Sequence, residues 1–220
     1  MQSDEFLHRE MEVTARSSGS RKVLVTDPSI TSAQPDHVAL LTRASAGFGQ
    51  QLLLLTDEEW EFLTPCSDWN VQAIVAHVVV GDAQVPPILA GEIVPLELDA
   101  SPTVLGPNAI ATWRGTALAM LRAFGQPGVL EQRYQHPVGR VTGKRILGFR
   151  LTDALVHAWD IARACGRDLS LDDDLSEYCL EFWWPLAKGL VDSGHFKAAV
   201  MPSEMATPGE RLLSLLGRQL

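Results

Sequence analysis

Cysteine is scarce in this chain. Its 220 residues include three, Cys66, Cys165 and Cys179, an odd number with no CxxC spacing. That argues against a disulfide framework or a cysteine-based zinc site, and a reducing cytoplasm fits best. Positive charge is also short: 18 Lys+Arg stand against 27 Asp+Glu, a formal net charge of -9. A surface of that sign repels phosphate backbones and anionic lipid, so nucleic acids and membrane surfaces are poor partners. Apolar stretches such as Leu52–Leu55 and Val78–Val80 fall far short of the roughly 20 residues of a membrane span. The N-terminal MQSDEFLHREMEV has no basic region followed by an apolar one, so no secretion signal is expected. GxGxxG, P-loop and GxSxG patterns are absent, which argues against nucleotide cofactors and serine hydrolysis. What is present is an ordinary soluble composition, 46% hydrophobic and 20% charged, enough for one sizeable core.

Residues 1–35 read as a loosely docked leader, polar and turn-rich apart from Val23–Val25. From Asp36 the pattern turns helical, with Val38, Leu41, Ala44, Phe48, Leu52 and Leu55 at steps of three and four. Thr56-Asp57-Glu58-Glu59 starts a short second segment. Val71, Ile74, Val75, Val78 and Val79 mark the next helix, which contains His77 and is expected to end at Val85-Pro86-Pro87. The proline-rich stretch 84–108 reads as a long loop, and Asn108–Ala123 as a third long helix stopped by Gly125. Leu130–Gln135 and Arg140–Ile146 flank Pro137-Val138-Gly139 as a β-hairpin. Leu151–Ala164 is the strongest helix, with Gly166 as its cap. Residues 171–192 form another, with a bulky face of Phe182, Trp183, Trp184 and Leu186, and Pro208–Leu216 a short last one. The expected fold is mainly α: a four-helix bundle with hairpin over 36–170, and an added helix with a C-terminal extension over 171–220.

The chemistry concentrates on Asp153 and His157. At i and i+4 they leave one face of one helix, the arrangement of converging metal ligands. His77 sits on an otherwise apolar helix face, where an uncompensated imidazole is costly to bury. The spacing alone is weak, because chance gives roughly one such pair in this composition and Asp4/His8 is a second instance. The competing reading is a core-edge His157 paired with Asp153 or Asp160, and His77 bonded to a backbone carbonyl.

Longer motifs shift the balance. Leu63-Thr64-Pro65-Cys66-Ser67-Asp68-Trp69-Asn70-Val71, running into Ile74–Val79 around His77, resembles the mycothiol-dependent maleylpyruvate isomerase N-terminal domain of the DinB/YfiT-like metal-binding superfamily. Asp153–Arg163 and the terminal Glu210–Arg218 resemble further signatures of that superfamily, the last an actinobacterial branch of uncharacterised metal-binding proteins. The resemblance implies a DinB-like four-helix bundle holding a divalent ion, zinc or alternatively nickel, with a low-molecular-weight thiol such as mycothiol as cosubstrate. It implies His77, Asp153 and His157 as ligands, although family members often carry Glu where this chain has the shorter Asp153. Asp160, three residues after His157, would orient an imidazole or a water, against the alternative of a surface salt bridge. Arg218 would bind a substrate carboxylate, against the alternative of a cation at a helix C-terminus.

The function so implied is thiol-dependent isomerisation or S-transfer on a small-molecule electrophile, the metal activating the thiol. Two alternatives stay open: a non-catalytic metal-binding or ligand-sensing module, and a metal-dependent hydrolase. The oligomeric state is also open, a homodimer included. Cys66 reads as a packed side chain more readily than as a reactive thiol, and Trp69, Trp159, Trp183 and Trp184 as core, with one available to line the pocket. His136 and His195 read as solvated.

Overall fold

The computed structural model describes residues 36–66, 69–95, 101–187 and 202–220. The expected leader lies outside them, as do Ser67, Asp68, residues 188–192 and His195.

Four long helices make the bundle. α1 (His37–Leu53) starts where Asp36 accepts the N–H groups of Val38 and Ala39 at 3.1 and 3.0 Å. Leu41, Ala44, Phe48 and Leu52 form its buried stripe. α2 (Val71–Leu89) is capped by Asn70, and α3 (Ala109–Phe124) by Asn108. The hairpin of β1 (Arg133–His136) and β2 (Gly139–Thr142) pairs Tyr134 with Val141 and leads straight into α4 (Gly143–Ala164). α1 packs on α4 and α3, and α2 on the same two, so the helices surround one core in the order α1–α4–α2–α3. Phe48, Ile74, Leu147 and Ile161 are among its fully buried side chains, each worth about 1.5–3 kcal/mol relative to exposure. α5 (Asp173–Trp183) and α6 (Pro208–Leu215) pack on each other, and α5 also on α4. This is the mainly helical bundle with one hairpin that the sequence predicts.

Four expectations are corrected. α2 does not stop at Val85-Pro86-Pro87 but runs through both prolines to Leu89. The two missing N–H groups fall in its last turns, where burial of Val85 and Ile88 outweighs them. Residues 84–89 of the expected loop are therefore helix. α2 also has the length and composition to cross a membrane, yet it lies mostly buried in the bundle, as a core helix does.

The second correction concerns residues 143–146, expected as strand and found as the first turn of α4. Thr142 accepts the Arg145 N–H at 3.2 Å and starts the helix eight residues before Leu151. Gly143 makes that early start fit, because a Cβ there would come within 2.9 Å of the Val129 carbonyl carbon and nearer still to its oxygen. Gly143→Ala is expected to lower stability by about 1–3 kcal/mol through this overlap with backbone. A urea-unfolding midpoint equal to that of the parent protein would contradict it.

The third correction is Trp184, which is 71% exposed whereas Trp183 is buried. Consecutive helical residues point about 100° apart, so they cannot share one face. α5 gives way there to a 3-10 turn, Trp184–Leu186, containing Pro185. His136 is corrected as well: its ring stacks on Phe149 with centroids 5.6 Å apart, and burial lowers its pKa.

Candidate metal centre

Along α4 the residues Arg150, Asp153, His157 and Asp160 follow one another at steps of three, four and three. That is the spacing of a core-facing stripe, normally apolar. Here Arg150, His157 and Asp160 are buried and Asp153 keeps 29% of its side chain exposed. A buried polar stripe survives only if its members satisfy one another, and these do. His157 Nδ1 lies 2.9 Å from Asp160 Oδ2, and Arg218 Nη2 donates to the same oxygen at 2.9 Å. Arg150 Nη1 donates to Asp153 Oδ2 at 2.6 Å.

α2 supplies the facing wall. His77 Nε2 lies 3.7 Å from Asp153 Oδ2, and its ring meets that of His157 edge-on, centroids 5.4 Å apart. One ligand atom from each of His77, Asp153 and His157 falls within 4.8 Å of the others. Trp69, on the loop before α2, covers His77 with ring centroids 4.8 Å apart. Two imidazole nitrogens and one carboxylate oxygen are a donor set that zinc accepts, so the residues fit the ion. The Asp160 bond holds one nitrogen of His157 and leaves Nε2 for a ligand role.

A family model described as the mycothiol maleylpyruvate isomerase N-terminal domain matches residues 38–162. The chain belongs to that family. Its helices α1–α4 fall within the match almost whole, and so do His77, Asp153 and His157. An uncharacterised protein of Mycobacterium tuberculosis, in strains H37Rv and CDC 1551, is 34% identical over 134 residues, 61% of this chain and 70% of the relative. The crystal structure of the mycothiol-dependent maleylpyruvate isomerase has a TM-score of 0.58 at 17% identity, covering 76% of this chain and 75% of that one. A histidine-to-alanine mutant of that enzyme gives 0.56 at 16%, with the same coverage. At such identities the likeness concerns the fold alone.

Within this family member, charge is closely balanced around the site. Burial would raise the Asp153 carboxyl, but Arg150 and the two imidazoles reverse this and hold it well below the usual carboxylate range. Asp160 follows the same pattern, with Arg218 and His157 overcoming burial. Burial lowers the His157 pKa despite the pull of Asp160, which favours the neutral, ligating imidazole.

Arg218 is therefore not free for a substrate; it pairs with Asp160 and also donates to the carbonyl that ends α6, the helix C-terminal role considered for it. Its guanidinium is buried against Asp160, and Nη1 also donates to the Leu216 carbonyl at 3.0 Å. Asp160 is fully buried, so the surface salt bridge considered for it does not occur. Cys66 is half-buried and offers its sulfur within 4.8 Å of ligand atoms of His157 and Asp160. A separate cleft of about 680 Å³, bordered by Trp159, Arg163, Asp172 and Glu210, includes none of the candidate site residues.

Sequence reasoning missed Arg150 and Asp82. Arg150 Nε donates to Asp82 Oδ1 at 3.0 Å, and both are buried. A signal for Asp82 existed: it is the only charged residue in α2, inside a stretch packed as core. A lone acid in such a helix needs a buried cation, and Arg150 sits one turn before Asp153 on the polar stripe.

Proposed function

We propose that the protein holds a divalent ion, zinc in the first instance, on His77, Asp153 and His157. With a low-molecular-weight thiol of the mycothiol type it acts as an isomerase or S-transferase on a small-molecule electrophile in the cytoplasm. The convergence of three ligand atoms from α2 and α4 within 4.8 Å carries the reading. Membership of the family and the mycothiol dependence of the structural neighbours support the thiol. None of the three cysteines is in a disulfide among the described residues.

The bound ion would supply Lewis acidity, lowering the pKa of a coordinated thiol so that it reacts as thiolate. The chain's own residues prepare that chemistry. Asp160, held by Arg218, fixes the His157 ring through Nδ1. Arg150 fixes Asp153, the ligand nearest solvent. Trp69 shields the His77 side from water.

Cys66 supports a second reading. Its sulfur lies within 4.8 Å of ligand atoms of His157 and Asp160, and a sulfur that reached the ion would close the site as a structural zinc centre, leaving no position for a thiol cosubstrate. Calorimetric titration of mycothiol into zinc-loaded and metal-free protein separates the two. Binding near one thiol per chain, only in the zinc form, is expected. Equal heats in both forms, or none in either, would refute the thiol role.

A further inference from the structure

The guanidinium of Arg150 uses all three of its nitrogens. Nε and Nη2 both reach Asp82 Oδ1 at 3.0 Å, Nη2 donates to the Val78 carbonyl at 3.1 Å, and Nη1 donates to Asp153 Oδ2 at 2.6 Å. The first two partners belong to α2, Val78 directly after His77 and Asp82 a little over one turn beyond it. The third is a candidate ligand on α4.

Stapling two helices is a poor explanation for this fork. Buried ion pairs give little net stability compared with apolar groups of similar volume, and the surrounding core is apolar. Gly81 supplies a second, independent observation. A Cβ there would lie 2.5 Å from Arg150 Cζ and closer still to Nη1. Glycine inside a helix costs roughly 0.5–1 kcal/mol relative to alanine, and here the vacated volume is occupied by the guanidinium. α2 thus provides a carboxylate, a carbonyl and an empty side-chain position, all serving one arginine of α4.

We infer that Arg150 is a positioning residue for the metal centre: anchored on α2 by Asp82, Val78 and the gap at Gly81, it sets the orientation of the Asp153 carboxylate. The terminal torsion of aspartate is broad and roughly two-fold, and the short Asp153 side chain has little reach to correct a wrong orientation. A planar fork held at one end fixes Oδ2 at the other, and with it the plane in which the second oxygen points. Arginine suits the task because lysine offers a single point charge that cannot span Asp82, Val78 and Asp153 together.

The inference rests on the proposed metal site, and cobalt(II) as a spectroscopic substitute keeps the two apart. If the parent protein takes up no cobalt, the metal site itself fails and the inference falls with it. If it does, Arg150→Gln and Gly81→Ala are each expected to weaken cobalt binding 10- to 100-fold, the range for removing an outer partner of a ligand. Both should change the intensity of the ligand-field bands, a readout that a purely structural role would not move. Gly81→Ala alters no ligand and no charge and raises helix propensity, so it decides the matter if Arg150→Gln fails to fold. Arg150→Lys keeps the charge and should remain weakened. Parental affinity and spectrum in Arg150→Gln, or full recovery in Arg150→Lys, would overturn the assignment.

Discussion

His157→Ala should lower zinc affinity by more than about 100-fold, beyond what loss of an outer hydrogen-bond partner costs. His157 is the centre of the arrangement. Its Nδ1 is engaged by Asp160 at 2.9 Å, its ring faces His77, and a ligand atom lies within reach of Asp153. Alanine removes a donor and also the link that carries the Asp160–Arg218 pair to the site. His77→Ala should give a loss of the same order, because two remaining ligands hold zinc poorly. Competition against a chromophoric chelator measures both, with circular dichroism checking the helices. A fall of less than tenfold in both variants would mean that the ion, if bound, sits elsewhere.

Arg218→Ala should cost about 3–5 kcal/mol of stability, the usual result of stranding one member of a buried pair. Asp160 has 0% exposure, and Arg218 contacts it through Nε at 3.3 Å and Nη2 at 2.9 Å. Without the guanidinium, a fully buried carboxylate keeps only His157 as a partner. Asp160→Asn combined with Arg218→Gln removes both charges and should lose less than Arg218→Ala alone. Guanidinium unfolding of the metal-free protein gives the comparison without a contribution from ligand binding. A loss below about 1 kcal/mol for Arg218→Ala would show that water reaches Asp160 in solution, as exposed pairs behave.

The bundle was legible where one face of a helix repeats cleanly. Leu41, Ala44, Phe48 and Leu52 announce α1, and Asn108 with Gly125 bracket α3 almost to the residue. Legibility failed where a local rule met a tertiary one. Pro86 and Pro87 break helices in general, but Val85 and Ile88 on either side are core residues. Residues 143–146 continue directly from β2 with no proline to part them from it, yet Thr142 caps a helix there and Gly143 admits it against Val129. Trp184 was grouped with Trp183 on hydrophobicity, though successive residues diverge around a helix.

The candidate site divides in the same manner. Asp153 and His157 share a helix face by their spacing, a weak signal alone, and it was the motifs around them and around His77 that singled out the three. Asp160 was readable as a partner of His157 because the two are three residues apart on one helix. Its pairing with Arg218 spans 58 positions and no periodicity reports it. Arg150 and Asp82 were missed because charged residues ordinarily mark the solvent face, and only the packing of α2 on α4 turns both inward.

X-ray absorption at the zinc edge, with and without mycothiol and on a Cys66→Ser variant, tests the central claim most directly. The account predicts nitrogen and oxygen neighbours at about 2.0–2.2 Å before thiol is added, and one sulfur at about 2.3 Å only afterwards. The variant should give the same result. A sulfur already present before thiol and absent from Cys66→Ser, or no sulfur after thiol, would contradict it.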